Sequence, residues 1–350
     1  MIKVQIDNEI LNILINIEKN KEILNTVEIP LSLSNKFRKN TKKRSAYSSN
    51  KIEGNPLTFA QASKIIEEDN RHFLKPEKEV RNYYLALNTL EKKLENNVHY
   101  STKLLLEIQK IVCEGEPKNK IGLRGQMPPG VLFAVWDQKT GRPDYIPPEY
   151  SDIPVLLQEL EEYVNNSDDH PIIKAAIVHY QLVTIHPFED GNGRTARIMS
   201  NYILSYYGYS FKNIGSLEEY FSYDIDEYYS SIQMGLPVLY YEGRDNPPKP
   251  YIWIKYFLKI FNLYASKVIQ IAYDEFDTNE KIRLNNLSSK GRAFLEYLRK
   301  NKIINFTPID ISRQLKVTNR TIINWCNELM NNGFIKPVIE NKRIRRYEVQ

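Results

Sequence analysis

The twelve residues His186-Pro187-Phe188-Glu189-Asp190-Gly191-Asn192-Gly193-Arg194-Thr195-Ala196-Arg197 gather one titratable ring, two carboxylates, two glycines, an amide and two guanidiniums. That set makes a poor core and a good phosphate site. An imidazole is mostly neutral at pH 7 and can accept a hydroxyl proton. The guanidiniums of Arg194 and Arg197 can each donate two parallel hydrogen bonds to phosphate oxygens. Gly191 and Gly193 allow positive φ and let a phosphate approach the bare backbone. Asp190 is out of place in an anion nest unless a cation comes with the anion, and Mg2+ on a nucleotide meets that need. Two plainer readings compete. His186 could simply end a helix, and both arginines could be surface groups paired with Glu189.

Helices must position this stretch. Before it, Ile172, Ala176, His179 and Val183 recur three or four residues apart, predicting a helix over 171–185. After it, Ile198, Ile203 and Leu204 mark an apolar stripe on a helix over 194–207. The motif is then a turn feeding a helix N-terminus, where unpaired N–H groups and the helix dipole, worth about half a positive charge, favour anions.

Elsewhere the chain reads as helices over 7–25, 36–53, 59–66, 78–96, 102–112, 153–164, 217–234 and 250–276. Thr58 and Gln61 form a capping box, and Phe59, Ala62, Ile65 and Ile66 are the expected buried face of the helix that follows. Gly54 is the expected residue past the end of the 36–53 helix, which leaves Glu53 facing the negative end of a dipole. Either solvent and nearby lysines absorb that cost, or a cation elsewhere in the fold receives the carboxylate. Val131 to Trp136 and a return through Tyr145-Ile146, with the turn at 137–141, predict a β-hairpin bracketed by prolines. It is either a flap over a site or a structural arm. The tyrosine-rich 217–234 helix, with Tyr220, Tyr223, Tyr228 and Tyr229, is expected to be mostly core, and the polar 277–287 to be a linker.

The tail is organised separately. Residues 285–350 hold 13 Lys/Arg against 5 Asp/Glu, a net of +8, whereas the whole chain of 350 residues carries +5. Helices over 288–301, 307–315 and 319–332, then strands over 334–338 and 343–349, have the order of a winged helix-turn-helix. Asn319, Arg320, Asn324 and Asn327 would face base edges, and Lys342, Arg343, Arg345 and Arg346 would face phosphates, if the tail binds DNA. A protein-contact or homodimer role is the other reading. Two distant cysteines and the lack of a leader-like or spanning apolar run lead us to expect a cytoplasmic protein with no membrane role.

The motif resembles the signature of Fic (Fido-domain) proteins, His-x-Phe-x-Asp/Glu-Gly-Asn-Gly-Arg-x-x-Arg, matched at every specified position. Ser49-Asn50-Lys51-Ile52-Glu53-Gly54 is similar to that family's inhibitory motif, and the 131–146 hairpin sits where the family keeps its flap. The resemblance implies a mainly α fold: a Fic/Fido helical bundle with a β-hairpin flap, plus the C-terminal winged helix-turn-helix. It implies an N-terminal helical region (1–98) with an inhibitory helix at about 36–54, a catalytic domain (99–245) with the flap at about 121–149, a helical extension and linker (246–284), and the winged domain (285–350).

The implied activity is transfer of AMP from ATP to a Tyr, Thr or Ser hydroxyl of a protein target, or of the chain itself. Removal of AMP is the alternative direction. His186 would take the hydroxyl proton, Asp190 would hold Mg2+, and Gly191, Asn192, Gly193, Arg194, Thr195, Ala196 and Arg197 would bind the nucleotide. Related kinase-like toxins carry Lys at the position of Gly193, so Gly193 favours nucleotidyl over phosphoryl transfer. Glu53, with Ser49 one turn earlier, would inhibit by pairing with Arg197. One departure stands out. The family often has Asn-Arg four residues before a Tyr-Tyr pair, and here Tyr228-Tyr229 follows Asp224-Ile225, so Asp224 and Tyr223 are the remaining candidates for base contacts.

Overall fold

A computed structural model of the chain describes residues 4–350 other than 28, 69–71, 138–140, 236–237, 239–248, 250 and 341–342; the side chains of 137, 275–282, 340 and 343 are also outside the description. The chain divides into two compact units, Met1–Ile271 and Ala272–Gln350.

In the first unit, α1 (Asn8–Thr26) and α2 (Leu31–Ile52) precede α3 (Phe59–Glu67), α4 (Lys75–Glu95) and α5 (Thr102–Val112). Both α2 and α4 begin earlier than their apolar patterns suggest, because Pro30 and Pro76 suit a helix start. The capping box at Thr58 and Gln61 forms. Ala62 and Ile65 are buried as expected, but Phe59 stays partly exposed and packs its ring edge-on against Tyr47. At the end of α2, Gly54 takes a φ of +81°. Its N–H bonds Lys51 O, and the Asn55 N–H bonds Asn50 O. These two bonds close the helix in a Schellman turn with Glu53 as the last capping residue.

The hairpin is shorter than its apolar run implied. Strands β1 (Val135–Asp137) and β2 (Arg142–Tyr145) pair antiparallel, while Val131 to Ala134 lie outside any strand. Residues 138–140 of the expected turn fall outside the described residues. Then come α6 (Ile153–Asn166), α7 (Pro171–Ile185) and α8 (Asn192–Tyr206), the last two packed along each other. Almost every side chain of α7 is buried, so it forms the centre of this unit.

The helix expected over 217–234 is two helices, α9 (Leu217–Phe221) and α10 (Ile225–Gln233). The break has a local cause. Asp224 takes an extended conformation and its carboxylate accepts the Glu227 N–H at 2.8 Å, starting a new helix. The tyrosines accordingly diverge. Tyr228 is buried, whereas Tyr223 and Tyr229 are exposed.

The expected linker over 277–287 is also corrected: α11 runs unbroken from Tyr251 to Asn285. Polarity by itself does not stop a helix, and this stretch has no glycine or proline to do so.

The second unit continues with α12 (Ser289–Lys300), β3 (Asn305–Phe306), α13 (Pro308–Leu315), α14 (Asn319–Asn331), β4 (Ile335–Glu340) and β5 (Arg343–Val349). The three helices and terminal hairpin follow the expected order. Strand β3 was not anticipated, and it makes a three-stranded sheet of order β3-β5-β4. Phe294, Leu298, Ile311, Ile322, Leu329 and Tyr347 build a core belonging to this unit alone. Asn319, Arg320, Asn324, Asn327, Arg345 and Arg346 are exposed; Lys342 and the side chain of Arg343 lie outside the described residues.

Candidate functional site

Helix α7 ends at His186, whose backbone enters the left-handed region at φ 48°. Its ring Nδ1 lies 3.2 Å from the Val183 carbonyl oxygen. A carbonyl only accepts, so Nδ1 carries the proton and the Nε2 lone pair is left for a ligand. Burial pulls the ring's pKa down to about 4; the Val183 bond opposes the fall, and the charge of Arg124 adds to it.

Arg124 is the residue that fixes this turn, and no sequence pattern pointed to it. Its Nε donates to His186 O and its backbone N–H to Pro187 O, both at 2.9 Å. The guanidinium also donates to Pro148 O and lies 4.7 Å above the Phe133 ring, which in turn sits 5.9 Å from the His186 ring. One buried side chain thus joins the His186 turn to residues flanking both ends of the hairpin.

The turn into α8 is held from within. The Asn192 amide accepts from Phe188 N–H at 3.0 Å and donates to Phe188 O at 2.8 Å. At most one amide N–H therefore remains for a phosphate, less than the direct grip expected of this residue. Gly191 has a φ of +80°, and a Cβ there would meet Cys113 Sγ at 2.8 Å. Gly193 does not use its freedom to take positive φ. It is helical with no positive φ, and its requirement is spatial, since a Cβ would collide with Glu53 Oε1 and lie 3.2 Å from Arg197 Nη1. Thr195 and Ala196 are buried in the first turns of α8, and the Thr195 hydroxyl has no partner among the described residues.

Asp190 Oδ1 accepts from Gly191 N–H at 2.6 Å and from Arg194 at 2.9 Å, while Oδ2 faces Lys120 Nζ at 3.4 Å. Burial alone would raise its pKa, but Arg194 and Lys120 outweigh that and hold it below the usual carboxylate range. Gln109 places Lys120 by donating to Lys120 O at 2.8 Å and to Asp190 O at 3.2 Å. Glu189 accepts from Asn119 rather than pairing with either arginine. A group of three metal-ligating side chains is absent among the described residues. A single ionised carboxylate at an anion nest nevertheless fits Mg2+, which commonly takes one or two carboxylates and draws its other ligands from phosphates and water.

Arg197 is 1% exposed and spans the gap between α8 and α2. Its Nε donates to Ser49 Oγ at 2.8 Å, and Nη2 donates to Ser49 O at 3.0 Å and to Glu53 Oε1 at 2.6 Å. Nη1 reaches the Tyr228 hydroxyl at 3.3 Å. Burial would lower this arginine's pKa, yet Tyr228 and Glu53 raise it, so the charge is permanent. The carboxylate left without an obvious partner in the sequence has found one. Behind this contact, the buried Glu218 accepts from Ser45 and Tyr83 at 2.9 Å, from Asn201 at 2.7 Å and from Ser216 at 2.9 Å. It ties α2 to α4, α8 and α9, another connection that the sequence did not reveal. Asp224 is occupied as a helix cap, and Tyr223 turns its ring to Tyr220 in an exposed position.

Comparison with known proteins agrees with this geometry. Residues 99–204 match the profile of the Fic/DOC family. A protein adenylyltransferase Fic of Drosophila virilis is 28% identical over 211 residues, covering 56% of this chain and 39% of that protein. Its counterpart in Drosophila willistoni is 32% identical over 178 residues, 47% of this chain and 32% of that protein. The chain thus spans well under half the length of these relatives. Among solved structures, a Fic family protein from Desulfovibrio desulfuricans has a TM-score of 0.62 at 19% identity, covering 100% of this chain and 98% of that one. Fic-1 of C. elegans gives 0.56 at 24% identity, covering 74% and 71%. At these identities the structural likeness speaks for the fold.

Proposed function

We propose that this chain, which carries a Fic/DOC-family domain over residues 99–204, is a protein adenylyltransferase that is held inactive by its own α2. The observation that carries the reading is a neutral His186, anchored through Nδ1, beside the glycine-rich start of α8. In the reaction, a target hydroxyl oxygen attacks the α-phosphorus of ATP as its proton passes to His186 Nε2. The bond from that phosphorus to the β-phosphate bridging oxygen breaks, and pyrophosphate leaves. The first N–H groups of α8 stabilise the charge that builds on the α-phosphate. Arg194 and Arg197 bind the outer phosphates. Asp190 would hold Mg2+, and that ion, when bound, offsets phosphate charge.

Glu53 blocks this chemistry by occupying Arg197, with Ser49 steadying the pair. On this reading, 99–245 is the catalytic region with its flap at about 121–149, and α2 is the inhibitory element. Labelled ATP and Mg2+ test it: Glu53→Gly should label a protein hydroxyl, or the chain itself, far more than the wild type does. A Glu53→Gly chain that transfers no label from any nucleotide would sink the reading.

A second reading concerns residues 285–350. The exposed polar face of α14 and the exposed Arg345 and Arg346 favour DNA binding, with a protein or homodimer contact as the other outcome. Phosphate-driven affinity rises steeply as salt falls. A gel shift with the full chain that shows no complex even at low salt would leave the contact role. Among the described residues, no helix is long and apolar enough to cross a membrane.

A further inference from the structure

Arg197 is gripped from two sides. Ser49 and Glu53 belong to α2. The opposite grip comes from α10 and α7. Arg197 Nη1 lies 3.3 Å from the Tyr228 oxygen, which lies 2.7 Å from His179 Nε2. All three side chains are 1% exposed or less.

The direction of each hydrogen bond follows from the donor inventory. A guanidinium has only donors, so the Tyr228 oxygen must accept from Arg197. The single phenol proton has His179 Nε2 as its acceptor in reach, and the arrangement that uses this acceptor leaves Nε2 bare. In that arrangement the His179 proton sits on Nδ1, which has no hydrogen-bond partner among the described residues. The ring cannot easily rotate to exchange its nitrogens. It is caged by Trp253 at 4.8 Å, Tyr228 at 5.7 Å, Phe221 at 5.9 Å and Phe257 at 6.3 Å between centroids. A buried imidazole nitrogen left unpaired is costly whatever the other nitrogen does, and its presence calls for an explanation.

We propose that His179 and Tyr228 form a fixed aiming relay that keeps the Arg197 guanidinium in place when Glu53 withdraws. Tyr228 and His179 are positioning residues. They touch no phosphate, and they act by leaving Arg197 one orientation in which its remaining donors face the site. The assignment rests on the reading that Arg197 grips the outer phosphates of ATP.

Two measurements on the full chain test it. With 15N-labelled histidine, NMR should show His179 as the neutral Nδ1–H tautomer, and Tyr228→Phe should shift its Nε2 resonance. An Nε2–H tautomer would overturn the relay. In the Glu53→Gly background, Tyr228→Phe should weaken ATP binding by roughly tenfold, the scale of one hydrogen bond to a charged group. AMP, which lacks the outer phosphates, should bind almost unchanged. His179→Phe should behave like Tyr228→Phe, and His179→Gln, whose carbonyl can take the phenol proton, should recover most of the loss. Equal losses for ATP and AMP, or no loss for either, would mean that the pair is merely structural. If Glu53→Gly alone does not prefer ATP over AMP, the transferase reading fails and the tautomer by itself decides the relay.

Discussion

Glu53 closes on Arg197 at 2.6 Å, in the space that a side chain on Gly193 would need. The Glu53 carboxylate is therefore matched in shape by a motif glycine and in charge by Arg197. The carboxylate is 36% exposed although its partner is buried, so the contact is half open to solvent. Removing it strips a buried cation of its counter-charge.

Glu53→Gly should therefore be less stable than wild type without nucleotide and gain more from it. At ATP concentrations near 100 times Kd, binding adds about 2.7 kcal/mol of stability. Thermal unfolding with and without Mg-ATP should show a larger upward shift in the variant. Equal shifts would mean that Glu53 does not compete with the nucleotide.

Gly193→Ala should displace Glu53 without removing it. Because Gly193 is helical, the backbone accepts alanine, whose helix propensity is better by about 1 kcal/mol. Hydrogen exchange over the end of α2 should quicken. Protection equal to wild type would show that the side chain finds another rotamer beside a Cβ.

The pH profile of the released enzyme should be flat well below neutrality. His186 titrates at about 4 in the folded chain against about 6.5 unfolded, so the base form persists across the usual range. The acid limb of kcat/KM should fall near pH 4, and a limb near 6.5 would contradict the buried ring. Stability follows the same shift. Between pH 6.5 and 4 the unfolded chain binds this proton and the folded chain does not, so stability falls as the solution is acidified through that window. The fully buried His179, shifted downward by burial and then by Arg197, adds in the same sense.

Arg124→Lys should cost activity more than its conservative chemistry suggests. An ammonium cannot reproduce the planar fork that serves His186, Pro148 and Phe133 together. In the Glu53→Gly background, transfer should drop by roughly tenfold or more while ATP binding changes little, reflecting a misplaced histidine. Parallel losses in both would instead indicate a general collapse of the turn.

Glu218→Gln should destabilise the fold by about 1–3 kcal/mol, because an amide nitrogen would face donors that now meet a carboxylate oxygen. Since Ser45 of α2 is one of those donors, the wild-type Glu53 sequence should leak activity in this variant. Denaturant unfolding and label transfer together check it; lost stability with unchanged activity would separate Glu218 from the inhibition.

Legibility in the sequence followed distance along the chain. The 186–197 turn is local, so its residues could be read together, and both flanking helices formed nearly where periodicity put them. Glu53 and Arg197 lie 144 positions apart, and only the family resemblance linked them. Arg124 sits in a glycine-flanked loop stretch and His179 on an apolar helix, and neither pattern says anything of their partners. The break at Asp224 was readable, since an Asp three residues before a Glu is a capping signature, but the tyrosine run masked it. The 277–287 error came from treating polarity as a helix stop. Strand β3, two residues long, had no pattern to read.

The Schellman closure of α2 bears on how quickly the Glu53–Arg197 contact could yield. Gly54 and Asn55 lock the last turn, and Asn55 is further tethered to Pro76 O and Glu79 at 2.9 Å. The backbone beneath Glu53 is thus fixed while the carboxylate itself reaches solvent. A release confined to χ rotations would exchange in picoseconds to nanoseconds, against microseconds to milliseconds for undocking a helix. Such a chain would show no lag on activation: its output would track the momentary fraction of outward rotamers, making the brake a dimmer rather than a latch.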